Sequence, residues 1–388
     1  MHLTEIDRRR FLAFVLASGA VPLCGAAQTP PSTSQALYLA ARKREGQYEA
    51  AVFDAAGTDL RVVPLPDRGH SFAIDKERRR AVAFGRQPGF FAMAFDLEGG
   101  EPARPLPIAK GRHYFGHGVY TPDGRLLFAT ENDYEAGRGL LGIYDASALG
   151  GYRRVGEFSS AGIGPHEVVL MPDGHTLCVA NGGILTHPDY GKLELNLDSM
   201  KPSLAYVDAR SGKLLEQVYL PDELHQLSLR HMALDATGAV WVGCQYMGPA
   251  AVRPALVARH RRGEPIRLFP GPPEVLRGMR NYVGSVAADP GGRFIATSSP
   301  VGNCVVFWEA VSGSFLGQVR LNDGCGVAAA ADNGFLLSNG LGALVSIGLA
   351  HESHTMVDTA DLALEGERLT TILSEQPGRA WDNHLRKV

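Results

Sequence analysis

The sequence predicts an all-β protein with the architecture of a seven-bladed β-propeller. Three observations predict it: many turn-forming residues, one four-strand unit that recurs along the chain, and two chain ends that complement each other. Gly and Pro account for 46 and 24 of the 388 residues, and 20% of the residues are charged. This composition excludes a coiled coil, a helical bundle and a disordered chain.

The recurring unit consists of an apolar strand, a turn built on Asp and Gly, a second strand, and a third strand that ends in an acidic turn. Turns of this composition close β-hairpins. They lie at residues 122–124, 172–174, 235–238, 289–292 and 332–334. Fourth strands such as 214–220 and 315–321 complete the unit. Four short strands per repeat are typical of a propeller blade.

Six innermost strands can be counted from the residues that open them, about 40 to 65 residues apart. These residues are His70, His117, His166, His231, Gly284 and Cys325. Three strands at 36–40, 48–53 and 60–65 precede His70 without an innermost strand, which the C-terminal segment 383–388 can supply. This shared blade closes the ring without free sheet edges and brings the number of blades to seven. We expect one propeller domain over residues 28–388.

The first 27 residues are typical of a cleaved export signal. Arginines at 8–10 precede a short apolar stretch at 11–21 and small residues at 25–27. That stretch is shorter than the roughly 20 residues of a membrane span. The arginines before Phe11 resemble a twin-arginine signal, which exports folded proteins. Asp7 replaces the usual Ser or Thr, so the general secretory route stays open. We expect cleavage near Ala27, a periplasmic location, no membrane span and a monomer.

Charge and cysteine usage restrict the partners and the redox chemistry. The net charge is −3, with both signs interspersed, which argues against a nucleic-acid partner. Four cysteines follow the predicted signal, and an even number in an oxidising compartment allows disulfides. Cys178, Cys244 and Cys304 each lie in a different strand-like segment, so we expect buried free thiols. Cys325 differs because it opens an innermost strand.

Histidine recurs at one structural position. Innermost strands line the central channel of a propeller, so the residues that open them face one another around one mouth. His70, His117, His166, His231 and His384 hold this position in five of the seven predicted blades, and Cys325 holds it in a sixth. Imidazole and thiolate bind copper, zinc and iron. We therefore predict a transition-metal site, with copper or iron as the cofactor. The alternative is structural bracing, because Gly-His pairs such as Gly69-His70 and Gly116-His117 hydrogen-bond within the blades of some propellers.

Other polar residues are predicted at the same mouth. Glu167 adjoins His166, Asn181 ends a second strand, and Arg280 precedes an innermost strand. Together they could bind an anionic or hydrated ligand beside a metal. The insertion from Gly182 to Pro202 is long for a compact fold, and we expect it to cover this mouth as a lid. No motif of a known catalytic site is present, so catalytic residues are not predicted.

Several segments resemble one bacterial family, the domain of unknown function 1513. They are 181–192, 195–204, Phe115-Gly116-His117-Gly118, Pro165-His166-Glu167, Arg230-His231 and Trp381-Asp382-Asn383-His384. The resemblance spans nearly the whole chain after the signal and implies an exported, seven-bladed, quinoprotein-like propeller. Members are often encoded beside imelysin-type and haem-containing periplasmic proteins thought to serve iron acquisition. It therefore implies periplasmic iron-uptake or redox proteins as partners, but no reaction.

Three functional hypotheses follow from these observations. In the first, the His/Cys ring holds copper or iron for metal uptake or redox chemistry in the periplasm. In the second, the protein is a lactonase-like or other propeller enzyme, whose Glu167, Arg280 and histidines bind a small organic substrate. In the third, it is a protein-docking scaffold without a small ligand.

Overall fold

The computed structural model describes residues 36–191, 193–330, 334–348, 370–376 and 378–388. The predicted export signal, residues 1–27, lies outside the described residues and stays a prediction. None of the helices within the described ranges has the length and apolar character needed to cross a membrane.

The strands of the described residues form seven four-stranded antiparallel sheets, which are the blades. Blade 1 contains β1 (Leu37–Arg44), β2 (Gln47–Asp54), β3 (Asp59–Pro64) and β28 (Arg379–Lys387); blade 2 contains β4 (Gly69–Asp75), β5 (Arg80–Gly85), β6 (Ala92–Asp96) and β7 (Arg104–Pro105); blade 3 contains β8 (Arg112–Tyr120), β9 (Leu126–Asp133), β10 (Arg138–Asp145) and β11 (Arg153–Ser159). Blade 4 contains β12 (Pro165–Leu170), β13 (Thr176–Asn181), β14 (Ser203–Asp208) and β15 (Leu214–Tyr219); blade 5 contains β16 (Leu227–Leu234), β17 (Val240–Tyr246), β18 (Val257–His260) and β19 (Arg267–Phe269). Blade 6 contains β20 (Ser285–Ala288), β21 (Phe294–Ser299), β22 (Cys304–Glu309) and β23 (Phe315–Arg320); blade 7 contains β24 (Gly324–Ala329), β25 (Gly334–Asn339), β26 (Ala343–Gly348) and β27 (Thr370–Glu375). Within the described ranges, the helical segments are one short α-helix, α1 (Pro273–Gly278), and 3₁₀ turns at Pro188–Tyr190, Leu197–Ser199 and Asp222–Leu224.

The ring closes through a blade built from both chain ends, as the sequence predicts. β28 pairs antiparallel with β1, with Leu385 opposite Ala40 and Trp381 opposite Arg42. The innermost strands of neighbouring blades contact one another around the ring, in the order β28, β4, β8, β12, β16, β20, β24 and back to β28. The seven-bladed prediction is therefore confirmed.

The core lies between neighbouring blades rather than within one layer. Second strands such as β13 are buried along their whole length, because both faces of a blade pack against other blades. Fourth strands such as β11 and β15 keep partly exposed residues at the rim. Cys178, Cys244 and Cys304 are buried free thiols, as expected, and burial raises the pKa of Cys178 to about 12. The interior of the ring is thus a well-packed scaffold for side chains that face the channel.

A β-bulge interrupts six of the seven innermost strands; five of the bulges contain the predicted His or Cys, and the sixth, in β16, contains Arg230 next to His231. In β4, for example, Gly69 pairs with Gly85 and Phe72 pairs with Ala83, so His70 and Ser71 together oppose Phe84. The other bulges lie between Tyr114 and Gly118, Pro165 and Glu167, Leu229 and His231, Gly324 and Val327, and Trp381 and Leu385. β20 pairs without such a shift and carries no histidine. Bulges end regular pairing and redirect side chains, which lets the histidines turn into the channel.

The insertion at residues 182–202 lies over one mouth of the channel. Gln87 Nε2 donates to Thr186 Oγ1 at 2.8 Å, and Asn132 Nδ2 donates to the Thr186 carbonyl at 3.2 Å. Gln226 Nε2 donates to the Leu197 carbonyl at 3.3 Å. These donors belong to blades 2, 3 and 5, so the insertion, which leaves blade 4, crosses the mouth as the sequence predicts.

Candidate metal centre

Five histidines from five consecutive blades converge in the central channel. The imidazole of His384 lies 4.6 Å from that of His70, 4.7 Å from that of His117 and 4.7 Å from that of His231, measured between ring centroids. The ring of His166 lies 4.6 Å from that of His231. All five residues are buried. The shared strand position noted in the sequence therefore becomes a shared position in space.

The cluster contains two overlapping triads that could each hold a metal ion. One is His70, His117 and His384, and the other is His117, His166 and His231. Within each triad one nitrogen per residue lies within 4.8 Å of the others. Two nitrogens bound to one ion at about 2.1 Å each are at most about 4.2 Å apart, so small ring rotations would suffice. His117 belongs to both triads and is the centre of the site.

Several ring nitrogens of this cluster have no hydrogen-bond partner within the described residues: both nitrogens of His70, Nε2 of His117, His166 and His384, and Nδ1 of His231. Carboxylates lie 3.8 Å from Nδ1 of His70 and 3.7 Å from Nδ1 of His231, beyond hydrogen-bond distance. A buried polar atom without a partner costs about 1–3 kcal/mol. Structural bracing would require these nitrogens to be paired within the blades. The described contacts therefore favour ligand binding over bracing.

Glu167 lies against the histidine cluster and contacts two of its imidazoles. Its Oε1 is 3.5 Å from Nδ1 of His117, and its Oε2 is 3.7 Å from Nδ1 of His231. The Met232 N–H donates to Oε2 at 2.9 Å, and Arg386 Nη2 donates to Oε1 at 2.6 Å. Burial opposes ionisation, but His117 and Arg386 outweigh it and hold the pKa of Glu167 well below its usual range. An ionised carboxylate beside Nδ1 favours a proton on that nitrogen and leaves Nε2 of His117 for a metal.

Burial keeps the imidazoles neutral. It lowers the pKa of His70 to about 3, although Asp382 acts in the opposite direction from 3.8 Å. Burial likewise lowers the pKa of His231 to about 4 against the effect of Glu167. It also lowers the pKa of His117, and those of His166 and His384 fall well below the usual value. Neutral imidazole is the form that binds metals, so the cluster is ready to bind at neutral pH.

Gly116 allows His70 and His117 to pack closely. Its φ is +104°, and a Cβ added there would lie 2.4 Å from Cδ2 of His70. Only glycine meets both the conformational and the steric requirement. The Gly116-His117 pair, which suggested bracing in the sequence, therefore serves the close approach of two imidazoles.

Cys325 does not join the cluster. It lies in the bulge of β24, but its Sγ is 3.5 Å from the Ser338 carbonyl oxygen and 3.4 Å from the Trp381 carbonyl oxygen. Burial raises the pKa of its thiol to about 12, and no metal-capable group within the described residues includes it. Its side chain is shorter than that of His and lies against β25 and β28, which carry these two carbonyl groups. The expectation of a thiolate ligand is corrected accordingly.

Two of the predicted ligand-binding residues also lie away from the cavity. Asn181 is fully buried within blade 4, where its Nδ2 donates to the Ser160 carbonyl at 2.8 Å. Arg280 is exposed, has a φ of +48° and does not line the cavity.

A cavity of about 200 Å³ lies between the histidine cluster and the insertion. Its walls include His70, His166 and His231 from the cluster, and Thr186 and His187 from the insertion. Sequence reasoning placed Tyr282 near this mouth but missed other polar residues that line the cavity, among them Arg86, His113, Glu194 and Arg230. For Arg230 a signal existed, because it directly precedes a histidine of the ring.

Comparisons with known proteins agree with this architecture. A family model described as "Protein of unknown function (DUF1513)" matches residues 63–388. No curated protein matches the sequence. Among solved structures, hydrazine synthase of Kuenenia stuttgartiensis is similar with a TM-score of 0.57 and 14% identity over 76% of this chain and 87% of that chain. The Cps50 (Swd1) β-propeller domain of Myceliophteria thermophila is similar with a TM-score of 0.54 and 12% identity over 79% of this chain and 93% of that chain. At these identities the likeness shows the fold alone.

Proposed function

The chain belongs to the DUF1513 family, and from its histidine cluster we propose that it binds a transition-metal ion, copper or iron, in the central channel of the propeller. The observation that carries the proposal is the pair of buried triads that share His117. Within the described residues, Nε2 of His117, His166 and His384 has no hydrogen-bond partner. Strands of a rigid ring fix all five side chains, so little ordering is required when a metal binds.

The donor set restricts the metal. Without Cys325 the ligands are imidazoles, which suit copper, iron, zinc and nickel. The sequence argument that thiolate favours copper over iron therefore falls away. Divalent copper still binds nitrogen sites more tightly than divalent iron in general, whereas iron is the metal that the family resemblance suggests. The assay must accordingly compare copper, iron and zinc on the same protein.

The cellular part of the proposal is a periplasmic role in metal acquisition or redox chemistry. It is supported by the signal predicted at residues 1–27 and by the genes that often neighbour members of the family. A twin-arginine route would allow a metal to be loaded during folding in the cytoplasm. Lysine substitutions of Arg9 and Arg10, followed by cell fractionation, test this route. Retention of the variant in the cytoplasm is expected, and unchanged export would contradict it.

The decisive experiment compares metal content and affinity between the wild type and single histidine variants. His117→Ala removes a ligand from both triads, so metal affinity should fall by more than the roughly 10- to 100-fold effect typical of an outer-sphere residue. His70→Ala and His166→Ala each remove a ligand from one triad, and the larger loss identifies the triad in use. Cys325→Ser is the matched control and should bind like the wild type. Equal binding by the wild type and His117→Ala, or no binding by the wild type, would end the proposal.

A further inference from the structure

Arg230 has no ion-pair partner among the described residues. It occupies the bulge of β16, between Leu229 and His231, and lines the cavity above the histidine cluster. Its Nε is buried and has no hydrogen-bond partner. Within the described residues, no carboxylate forms an ion pair with its guanidinium group; Glu194 lines the same cavity and interacts with Arg230 only at longer range. A guanidinium group remains charged at any pH at which the protein is folded.

Other arginines that face the channel have acidic partners. Arg86, on the same cavity wall, lies 3.4 Å from Oδ1 of Asp382. Arg386 lies 2.6 Å from Oε1 of Glu167. Burying a charge without a partner costs several kcal/mol, so buried charges are nearly always paired. Arg230 is half-buried, with only its Nε shown to be buried, and its unpaired guanidinium group in a cavity indicates that its partner is a ligand.

The rest of the cavity suits a small oxyanion. The hydroxyl of Ser228 is buried, has no partner within the described residues, and belongs to the lining together with Gln245 and Tyr282. These groups can donate hydrogen bonds to ligand oxygens. A volume of about 200 Å³ is well above the roughly 10–15 Å³ that one water molecule needs on the same measure. Oxalate and inorganic phosphate are small enough to fit within it, and citrate is the largest of the three.

We propose that this cavity binds a small oxyanion, such as a short-chain carboxylate, through the guanidinium group of Arg230. His70, His166 and His231 line the same cavity, so the bound anion lies next to the metal position of the proposed function. Only this adjacency rests on the proposed function, because Arg230 would hold the anion without a metal. If both ligands bind, each should change the affinity of the other by the same factor.

The test measures binding of oxalate, inorganic phosphate and citrate by calorimetry, first with the chelator-treated protein and then with the metal-loaded protein. Oxalate or phosphate should bind in the chelator-treated form. Arg230→Gln should lower the affinity about 10- to 100-fold, as expected for loss of a charge-assisted hydrogen-bond donor. Arg280→Gln makes the same charge change outside the cavity and should have no effect. The better-bound anion distinguishes a carboxylate ligand from a phosphate ligand.

Two results would overturn the anion site: no binding of any of these anions in either form, or equal binding by the wild type and Arg230→Gln. Arg230→Lys provides a second variant if the glutamine variant does not fold. It keeps the charge but loses the planar fork that binds two oxygens at once, so its affinity should also fall. The first measurement uses chelator-treated protein, which contains no metal. Its result therefore tests the anion site even if the metal proposal fails.

Discussion

The histidine cluster should make the metal-free protein sensitive to acid. The pKa values of His70 and His231 are about 3 and about 4 in the folded state, against about 6.5 in an unfolded chain. As the pH falls below 6.5, these two histidines bind protons in the unfolded chain but stay neutral in the folded protein. The free energy of unfolding therefore decreases with decreasing pH and recovers above about pH 6.5.

The size of the effect follows from the same values. At pH 5 each of these two histidines lowers the free energy of unfolding by about 2 kcal/mol, because each pH unit below 6.5 contributes about 1.4 kcal/mol. The pair then accounts for about 4 kcal/mol, a large part of the roughly 5–15 kcal/mol typical of a folded domain. Burial lowers the pKa of His117, His166 and His384 as well, so their effect has the same sign.

Urea denaturation of the chelator-treated protein at pH 7, 6 and 5 measures this slope. His70→Asn removes one buried group and should reduce the slope by about 1.4 kcal/mol per pH unit. The control is His175→Asn, in a surface turn where the side chain of His175 is 42% exposed, and it should leave the slope unchanged. A free energy of unfolding that stays constant between pH 7 and pH 5 would refute the reasoning. The reasoning would also be refuted if His70→Asn had the same dependence of the free energy of unfolding on pH as the wild type.

Three further predictions concern ring closure and the support of the site. Deleting residues 379–388 removes β28 and leaves an edge of β1 unpaired, so the variant should melt at a much lower temperature or aggregate; a melting curve like that of the full chain would contradict the closure. Gly116→Ala should weaken metal binding because its Cβ would collide with His70, whereas Gly151→Ala, also at positive φ but with open space around it, should not; equal affinities would disprove the steric argument. Glu167→Gln should lower metal affinity about 10- to 100-fold by removing the carboxylate beside two imidazoles; an unchanged affinity by competition titration would deny it this role.

The fold could be predicted from the sequence because a propeller repeats the same pattern of strands and turns in successive blades. Asp-Gly turns recur in five of the seven blades, and the three strands without an innermost strand at one end of the chain match the single strand at the other end. The position of the five histidines followed from the same repeat. Each of these features depends on local sequence and on register, which tertiary contacts did not override.

The direction of individual side chains could not be predicted. Within a bulge, two or more residues oppose one partner, and packing decides which side chain enters the channel. Cys325 occupies such a bulge but turns to the carbonyl of Ser338, whereas Arg230 occupies another and faces the cavity. The sequence predicted Arg280 instead, because the short helix α1 and its left-handed exit were not recognised. These differences depend on contacts between blades, which no local pattern encodes.

Ring closure and the candidate metal centre share one strand. His384 lies in β28, which pairs with β1 across the join between the chain ends, and it belongs to the triad with His70 and His117. That triad therefore exists only when the ring is closed. A ligand that binds the folded state stabilises it by mass action, so a metal held by this triad would stabilise the closure itself. The predicted dependence of metal binding on His70 and of stability on residues 379–388 thus follows from a single structural cause.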